Sequence, residues 1–306
     1  MIRKAEFTDA SQLRALWKTV FGDGDEFLDL YFRNYFVPEN VLTALQDGKI
    51  VSMSTIYRHD SLYAGGRVPG CCPCIFAVAT YREYRGKGLA MELIRRQLLQ
   101  LKEEGERYVM IAPAGKTLFS LYESRFGFRT YFKTLRLLCS PAPDAGKPPV
   151  QLRGSLQRIP AAVYNMRREY FLEETNHLKY TDRQISMEAQ ICELSGGGLF
   201  ALRCGADAGI CAAEWVSDTC LRVNELIIAE EAMCAAVNTI HAVFGAQEYE
   251  VRVCPYMDRL AIDESMRSYP GVSFHKAPEP AAMLLDLQDP TGNLPTESAY
   301  AGFLFD

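Results

Sequence analysis

The sequence predicts an α/β (α+β) chain with a mixed, mostly antiparallel central sheet flanked by helices, followed by a second α/β unit of similar layout. Three observations predict this architecture. Short β-rich runs alternate with amphipathic helical runs as far as residue 138. A proline-rich stretch then interrupts the pattern at residues 140–149. After it, a strand meander, a helix, a strand, a short helix and a last strand follow in a similar order.

Composition and charge limit the classes of protein to consider. The chain has 306 residues, of which 48% are hydrophobic and 23% charged, which is typical of a globular protein of two domains. It has neither an apolar stretch of 18 residues nor a signal-peptide core at its start, so we expect a cytoplasmic location and no membrane partner. The 10 cysteines are irregularly spaced and have no nearby histidines, which predicts reduced thiols and no metal site.

The charge is unevenly distributed along the chain. The first 139 residues carry 20 Lys and Arg against 15 Asp and Glu, whereas the remaining residues carry 13 against 23. A basic first half suits an anionic cofactor and an acidic second half could attract a cationic amine, although ordinary solvated surfaces explain both balances equally well. Neither half has the clustered Lys and Arg patch that nucleic-acid binding requires, so no nucleic-acid partner is expected.

The first half begins with a predicted strand at residues 2–7 and a helix, capped by Thr8 or Asp9, that extends to about Val20. A second helix begins at Asp25, and its aromatic stripe is interpreted as core packing or as the wall of a substrate pocket. Runs 41–45 and 50–57 predict a hairpin around an Asp-Gly turn. Runs 62–68, broken by two glycines, and 71–80 extend the sheet. Strand 108–112, helix 116–124 and strand 128–138 complete the first unit.

A glycine-rich turn joins run 71–80 to the amphipathic helix 88–104. The residues of this turn are Arg85, Gly86, Lys87, Gly88, Leu89 and Ala90. The first turn of a helix leaves backbone N–H groups without internal acceptors, and the helix dipole adds partial positive charge there. The two glycines allow a ligand to approach the backbone closely, and the arginine and lysine add formal charge. The turn therefore predicts an anion site suited to a pyrophosphate.

The spacing within this turn distinguishes among phosphate-binding motifs. The lysine precedes the second glycine, which does not match a P-loop, and Met91 stands where a dinucleotide fingerprint needs a glycine. Arg85, Gly88 and Ala90 do match [QR]-x-x-G-x-[GA] after a Val-Ala-Thr strand end. This pattern resembles motif A of the GNAT superfamily of N-acetyltransferases, which bind acetyl-coenzyme A.

Two further segments support the resemblance. Residues 121–128, LYESRFGF, are similar to the Leu-Tyr…Gly-Phe signature near the end of a GNAT domain. Residues 111–114, IAPA, resemble the corresponding strand end in tandem-domain members. The resemblance implies a GNAT acetyltransferase domain at residues 1–139, a proline-rich linker at 140–149, and a second, GNAT-like domain without a coenzyme A motif at 150–306.

The resemblance also implies roles for individual residues. Phe76, Ala77 and Val78 would present the strand backbone that pairs with the pantetheine arm, and residues Arg85 to Ala90 would hold the pyrophosphate. Tyr122 matches the tyrosine that protonates the leaving thiolate in many members. Four residues separate it from Gly127, where the family has three, so an aromatic packing role stays open beside the catalytic one.

The sequence does not fix a general base. Glu83, Glu26 and Asp25 lie near the expected acceptor site, but isolated carboxylates at such positions are more often surface residues, and some GNAT enzymes use a water chain. The four histidines follow no motif.

The second half predicts helices at 161–174, 182–194 and 231–244, a short helix near 258–265, and strands at 199–204, 209–216, 221–228, 248–253 and 282–287. The turn before its long helix is Ile228-Ala229-Glu230-Glu231, whose charge would repel a pyrophosphate. We therefore expect this unit to close the acceptor side of the first site or to form an interface. The layout resembles the enhanced-intracellular-survival acetyltransferases, whose terminal carboxylate enters the active site. The apolar end before Asp306 could be buried likewise, or it could fray.

These features together predict an acetyl-CoA-dependent N-acetyltransferase acting on a primary amine of a small molecule or peptide, with Tyr122 as the general acid. The alternative is a non-catalytic acyl-coenzyme A sensor that uses its acidic half to bind partners. The sequence does not identify the amine or the acyl chain, and it leaves homo-oligomerisation open.

Overall fold

The structure is a computed structural model that describes residues 1–59, 61–63, 70–140, 154–255, 259–266, 272–274, 278–289, 294–295 and 299–303. Three of the sequence-based expectations therefore fall partly or wholly outside the described residues. They are the predicted linker apart from Ser140, the two glycines expected to break run 62–68, and the terminal carboxylate of Asp306.

The helices lie close to their predicted positions. In chain order they are α1 (Ala10–Phe21), α2 (Asp25–Asn34), α3 (Leu89–Glu103), α4 (Lys116–Phe126), α5 (Ala161–Phe171), α6 (Asp182–Leu194), α7 (Met233–Phe244) and α8 (Arg259–Met266). Short 3₁₀ helices precede α1, α3 and α7, at Phe7–Asp9, Arg82–Tyr84 and Glu230–Ala232. In the part of the chain described, no helix combines the length and the apolarity needed to cross a membrane.

The strands of the first half are β1 (Ile2–Lys4), β2 (Val41–Gln46), β3 (Lys49–His59), β4 (Ser61–Tyr63), β5 (Cys72–Thr80), β6 (Tyr108–Ile111) and β7 (Arg129–Cys139). Those of the second half are β8 (Ser155–Arg158), β9 (His177–Lys179), β10 (Gly198–Cys204), β11 (Asp207–Trp215), β12 (Cys220–Ile227), β13 (Glu248–Val253), β14 (Val272–Phe274), β15 (Glu279–Asp286) and β16 (Ala299–Tyr300). The hairpin of β2 and β3 turns at Asp47 and Gly48, as predicted.

One continuous sheet runs through both halves, in the strand order β1-β2-β3-β5-β6-β15-β7-β13-β12-β11-β10-β8. Most of its neighbouring pairs are antiparallel, while β5 with β6 and β12 with β13 are parallel. Strand β7 belongs to both parts, because its first residues pair with β15 and its last with β13. Strand β15, from near the end of the chain, lies between β6 and β7 of the first half. The halves are thus joined by strand pairing.

The N-terminal segment departs from the prediction. Strand β1 ends at Lys4, and residues 7–9 form a 3₁₀ helix. The Asp9 carboxylate accepts hydrogen bonds from the Glu6 N–H (2.8 Å) and from the Arg3 guanidinium (2.6 and 2.9 Å). Asp9 stands at the N-cap position of α1, as one of the two predicted alternatives, but its carboxylate makes no hydrogen bond to the first turn of that helix. These contacts tie the 3₁₀ helix back to β1 just before α1 begins.

The end of the chain is buried as far as it is described. Strand β16 runs parallel to β7, with Tyr300 opposite Lys133. The Tyr180 hydroxyl lies 2.6 Å from both the Ala301 and the Phe303 carbonyl oxygens. Residues 299–303 are therefore held within the core, which favours the buried alternative over the frayed one. Among the described residues no two cysteines form a disulfide.

Candidate active site

Strands β5 and β6 separate soon after they meet. They pair only at Cys74 with Met110 and at Ile75 with Ile111, where β6 ends. Strand β5 continues to Thr80 and remains paired with β3 on its other side. No strand of the described chain pairs with residues 76–80 on the side of β6. An open strand edge therefore lies in the middle of the sheet, and an extended ligand can use it as an added strand would.

A bulge in β5 lies at the start of this open edge. Thr55 pairs with Phe76 and Met53 with Ala79, so Ala77 and Val78 together oppose a single residue of β3, Ser54. Ala77 has a φ of +48°, a left-handed conformation that is unfavourable for a residue with a Cβ. Such bulges bend a strand and redirect its groups.

A buried glutamine on α3 holds the strand opposite the bulge. The Gln97 side chain is fully buried, and its Nε2 donates to the Ser54 carbonyl oxygen at 2.9 Å. The Ser54 hydroxyl donates back to Gln97 Oε1 at 2.5 Å. The Gln97 amide and the Ser54 hydroxyl and carbonyl thus all have hydrogen-bond partners in the core. This pair fixes the distance between α3 and the bulged region.

The glycine turn after β5 ends in the N-terminus of α3. Gly86 and Gly88 have φ values of +76° and +78°, and Gly88 is the N-cap. The Glu92 N–H donates to the Gly88 carbonyl oxygen at 3.0 Å, so the three N–H groups before it have no helical acceptor. A Cβ on either glycine would project into open space. A phosphate fits this geometry, because the free N–H donors, the positive end of the helix dipole and a backbone without side chains lie at the same place.

The two cations of the turn are exposed and held by local contacts. Arg85 Nε donates to the Thr80 carbonyl oxygen at 3.0 Å, which ties its guanidinium to the end of β5. Lys87 Nζ lies 4.9 Å from the centre of the Tyr84 ring. Positive charge therefore flanks the anion site, next to the open strand edge.

Tyr122 lies on α4 in the hydrophobic cluster that contains Ile75 and Ile111, the last strand pair before β5 and β6 separate. Its side chain is buried, and its ring centre is 6.5 Å from that of Phe128. Burial raises the pKa of its phenol, which keeps the proton on the oxygen at neutral pH. The position is compatible with proton donation at the gap and with packing.

A cavity of about 220 Å³ lies on the opposite face of β3 from Gln97, where α2 and α6 converge. Its walls include three tyrosines, Tyr31, Tyr35 and Tyr57, and the N-terminal turn of α6. In the same region the rings of Tyr31 and Tyr57 pack against Phe76, with ring centres 6.2 and 5.7 Å apart. Phe76, the first residue of the open edge, thus packs against the cavity wall.

Helix α6, from the second half, covers this face of the first half. Gln184 Nε2 donates to the Arg58 carbonyl oxygen at 2.7 Å, and Gln190 Nε2 donates to the Tyr35 hydroxyl at 2.9 Å. Arg183 donates to the Asn34 carbonyl oxygen at 2.8 Å. Met187 is fully buried in the cluster that includes Tyr31 and Phe76. Both halves therefore build the cavity.

The carboxylates singled out in the sequence are surface groups. Asp25 is exposed and paired with Arg14 (2.7 Å) and Lys18 (2.6 Å), and Glu26 and Glu83 are also exposed. A different carboxylate, Glu188 on α6, is buried. Burial raises the pKa of Glu188 to about 8, and the negative charges of Glu214 and Glu225 add to this shift.

Comparison with known proteins places this geometry in a family. Residues 1–131 match the acetyltransferase (GNAT) domain model. The first 131 residues of the chain therefore form an acetyltransferase (GNAT) domain. Members of the GNAT superfamily are acyltransferases, and as a class they use acetyl-CoA to acetylate amines. A search of the curated proteins finds no match.

Solved structures share this fold over most of the chain. A probable N-acyltransferase from Enterococcus faecalis V583 is similar with a TM-score of 0.70 at 14% identity, over 94% of this chain and 73% of that one. A GCN5-related N-acetyltransferase from Kribbella flavida gives 0.67 at 17%, over 94% and 70%. Eis1 from Mycobacterium abscessus gives 0.61 at 12%, over 94% and 74%. At these identities the similarity shows the fold alone.

The GNAT motif residues predicted from the sequence lie together around the gap between β5 and β6. Phe76, Ala77 and Val78 form the open edge, and residues 85–90 form the turn beside it. Sequence reasoning missed Gln97 and Glu188. Both are polar residues among the buried positions of their amphipathic helices, and that break in the pattern was the available signal.

Proposed function

We propose that the chain transfers an acetyl group from acetyl-CoA to a primary amine of a small molecule or peptide, with Tyr122 as general acid. The observation that carries this proposal is the open edge of β5 beside the glycine turn. An extended pantetheine arm would pair with the backbone of Phe76, Ala77 and Val78. The pyrophosphate would then reach residues Arg85 to Ala90, where unpaired N–H groups and two cations lie.

The proposed chemistry needs a proton for the sulfur that leaves. The Tyr122 phenol is protonated at neutral pH because burial raises its pKa, so it can donate when the thiolate forms. Its place beside the last pair of β5 and β6 supports this role.

We further propose two units, at residues 1–139 and 150–306, joined by the linker 140–149, with coenzyme A bound only by the first. Strand β15 of the second unit pairs with β6 of the first, and the end of β7 pairs with β13 of the second. These pairings support two interlocked units rather than two independent ones. The second unit would contribute α6 to the acceptor side.

The test is a titration of the full chain with acetyl-CoA, followed by thermal shift and calorimetry. A ligand that binds only the folded state adds RT ln(1 + [L]/Kd), about 2.7 kcal/mol at a hundredfold excess over Kd, and raises the melting temperature by several degrees. Gly88→Glu should abolish this shift, because a carboxylate would occupy the anion site. Gly105→Glu is the matched control, since Gly105 also has positive φ and open space but follows the other end of α3. No shift in the unaltered protein would refute the proposal.

Tyr122→Phe then separates the enzyme from the sensor. Acetylation of amines should fall at least about a hundredfold, as for the loss of a general acid, while acetyl-CoA affinity is retained. Retained affinity without turnover of any amine by the unaltered protein would favour the acyl-coenzyme A sensor.

A further inference from the structure

Two hydroxyl groups hold the end of strand β5. The Ser52 hydroxyl, on the neighbouring strand β3, donates to the Ala79 carbonyl oxygen at 2.9 Å. Its oxygen also lies 2.8 Å from the Thr80 hydroxyl, which can donate to it because the Ser52 proton is already used. Ser52 is fully buried, so these bonds form without competing water.

Thr80, the last residue of β5, also contacts the glycine turn. Its carbonyl oxygen accepts from Arg85 Nε at 3.0 Å. This residue is therefore bound through its side chain to the buried part of the sheet and through its backbone to a cation of the turn. The hydrogen bonds from Ser52 through Thr80 to Arg85 thus link β3, the end of the open edge and the candidate anion site.

The middle of the open edge is supported on the same face of the sheet. Ser52 and Ser54 are two residues apart in β3, so their side chains point to one face, that of α3, where Ser54 bonds to Gln97. Burial alone does not favour hydroxyl groups here, because a buried polar group is costly unless it is paired. Their directional bonds instead fix the position of the β5 backbone.

The strand pair of the second half that stays closed gives a comparison. Strand β11 pairs with β12 as β3 pairs with β5, and its residues beside the β12 bulge, 210–213, are Ile, Cys, Ala and Ala. None of these four residues carries a hydroxyl group. Strand β12 is held on both sides, because β13 pairs with it as far as Leu226. The buried hydroxyls of β3 therefore lie where, in the described chain, one strand alone holds its neighbour.

We propose that Ser52 and Thr80 are positioning residues that set the open edge of β5 against the glycine turn. The inference rests on the proposed function, because acetyl-CoA would span both parts of the site. An extended arm can pair with residues 76–78 and place its phosphate at the helix N-terminus only if these two parts lie at a fixed separation. Ordering them before the ligand arrives lowers the entropic cost of binding. Both residues act through the β5 backbone and Arg85.

Calorimetry of the full chain with acetyl-CoA tests the positioning. Ser52→Ala and Thr80→Val each remove one hydroxyl and should weaken binding about fivefold to tenfold, whereas Thr80→Ser keeps the hydroxyl and should bind as the unaltered protein does. Thr43→Val is the matched control, because Thr43 is also fully buried and its hydroxyl donates to the Arg3 carbonyl oxygen at 3.1 Å, on the side of β3 away from β5. It should change the affinity by less than about twofold.

A double-mutant cycle shows whether Ser52 acts through Arg85. Ser52→Ala and Arg85→Gln should be non-additive by at least about threefold in Kd. Ser52→Ala and Lys87→Gln should be additive, since Lys87 contacts the Tyr84 ring instead of the Thr80 carbonyl.

Hydrogen exchange of the unliganded chain tests the same role without acetyl-CoA. In Ser52→Ala, the β5 amides that pair with β3 should exchange at least about fivefold faster, whereas Thr43→Val should affect only amides of β1 and β2. Additive effects of Ser52→Ala and Arg85→Gln, or equal acetyl-CoA affinities of Ser52→Ala and Thr43→Val, would overturn the positioning role and leave the proposed function standing. If the unaltered protein binds no acetyl-CoA, the proposed function fails, and unchanged exchange in Ser52→Ala would then overturn the ordering of the edge as well.

Discussion

Two of the parallel strand pairs, β5 with β6 and β12 with β13, differ in how far their strands stay paired. Strands β5 and β6 pair at two positions and then separate, whereas β12 and β13 stay paired from Cys220–Glu248 to Leu226–Val253. After β5 the chain forms a turn with two left-handed glycines. After β12 it forms a 3₁₀ helix that begins with Glu230 and Glu231. In the described chain, only the first pair therefore combines an open edge with a glycine turn at a helix N-terminus.

A bulge is common to both regions. In the second half Ala212 pairs with Glu225 and Ala213 with Val223, so Asn224 is the additional residue of β12. A polar group from a neighbouring helix lies near each bulge, Gln97 of α3 in the first half and Arg168 of α5 in the second. The bulge thus belongs to the layout of both halves, while the open edge and the glycines distinguish the candidate site.

The largest expected effect comes from breaking the charged contact near the second bulge. Arg168→Met leaves Glu225 buried without its cation, which should lower the free energy of unfolding by about 3–5 kcal/mol. Urea denaturation measures the loss. Arg158→Met, at an exposed ion pair, should change it by less than about 1 kcal/mol. Similar values for both variants would mean that the buried pair does not hold this region.

Removing the charge of the Glu188 carboxylate, unpaired in the described chain, should raise stability, whereas breaking the buried Arg168–Glu225 pair should lower it. The pKa of Glu188 is raised from 4.5 to about 8 on folding, so the native state binds the proton more tightly than the unfolded chain. Its contribution to stability is therefore present below pH 4.5 and lost as the pH rises toward 8, by about 1.4 kcal/mol per unit. Glu188→Gln should remove this loss, so the variant gains stability relative to the unaltered protein from pH 5 to 8 in urea denaturation. A constant difference across that range would contradict the prediction.

The neutral contact near the first bulge should matter less for stability and more for binding. Gln97→Leu leaves the Ser54 carbonyl and hydroxyl unpaired and should cost about 1–3 kcal/mol of unfolding free energy. If Gln97 positions the open edge, acetyl-CoA affinity should fall in the folded variant as well. Gln100→Leu, on an exposed bond to Glu104, is the control for both measurements. Unchanged affinity would limit Gln97 to a role in stability.

The smallest expected effect tests whether the charge of the turn alone decides which of the two regions binds acetyl-CoA. Replacing Glu230 by Gly and Glu231 by Lys removes the acidic turn but leaves β12 and β13 paired. Calorimetry should still give one acetyl-CoA per chain, since no strand edge is open there. Adding Gly88→Glu should abolish this binding. A second binding event would show that the turn, and not the strand opening, selects the site.

Much of the local structure follows from the sequence because its signals are short-range. The apolar period of α3, the Asp-Gly turn of the β2–β3 hairpin and the bounds of α6 are visible within a few turns or strand residues. The glycine turn was recognisable for the same reason, since a bare backbone at a helix N-terminus is a local arrangement. The short strands β8, β9, β14 and β16 were missed, because two to four residues carry too little pattern.

What only the tertiary structure decided depends on partners distant in sequence. Strand β15 pairs with β6 about 170 residues before it, and no local period specifies that neighbour. Whether β5 and β6 separate while β12 and β13 stay paired is likewise a matter of register between strands. In the sequence, Glu188 looks like one more charged residue of an amphipathic helix. Only the fold shows that α2, β3, β11 and β12 enclose it. The sequence by itself determined most of the helices and strands and the glycine turn at the N-terminus of α3. Packing decided which strand edge stays open and which carboxylate is left without a counter-ion, because both follow from long-range neighbours.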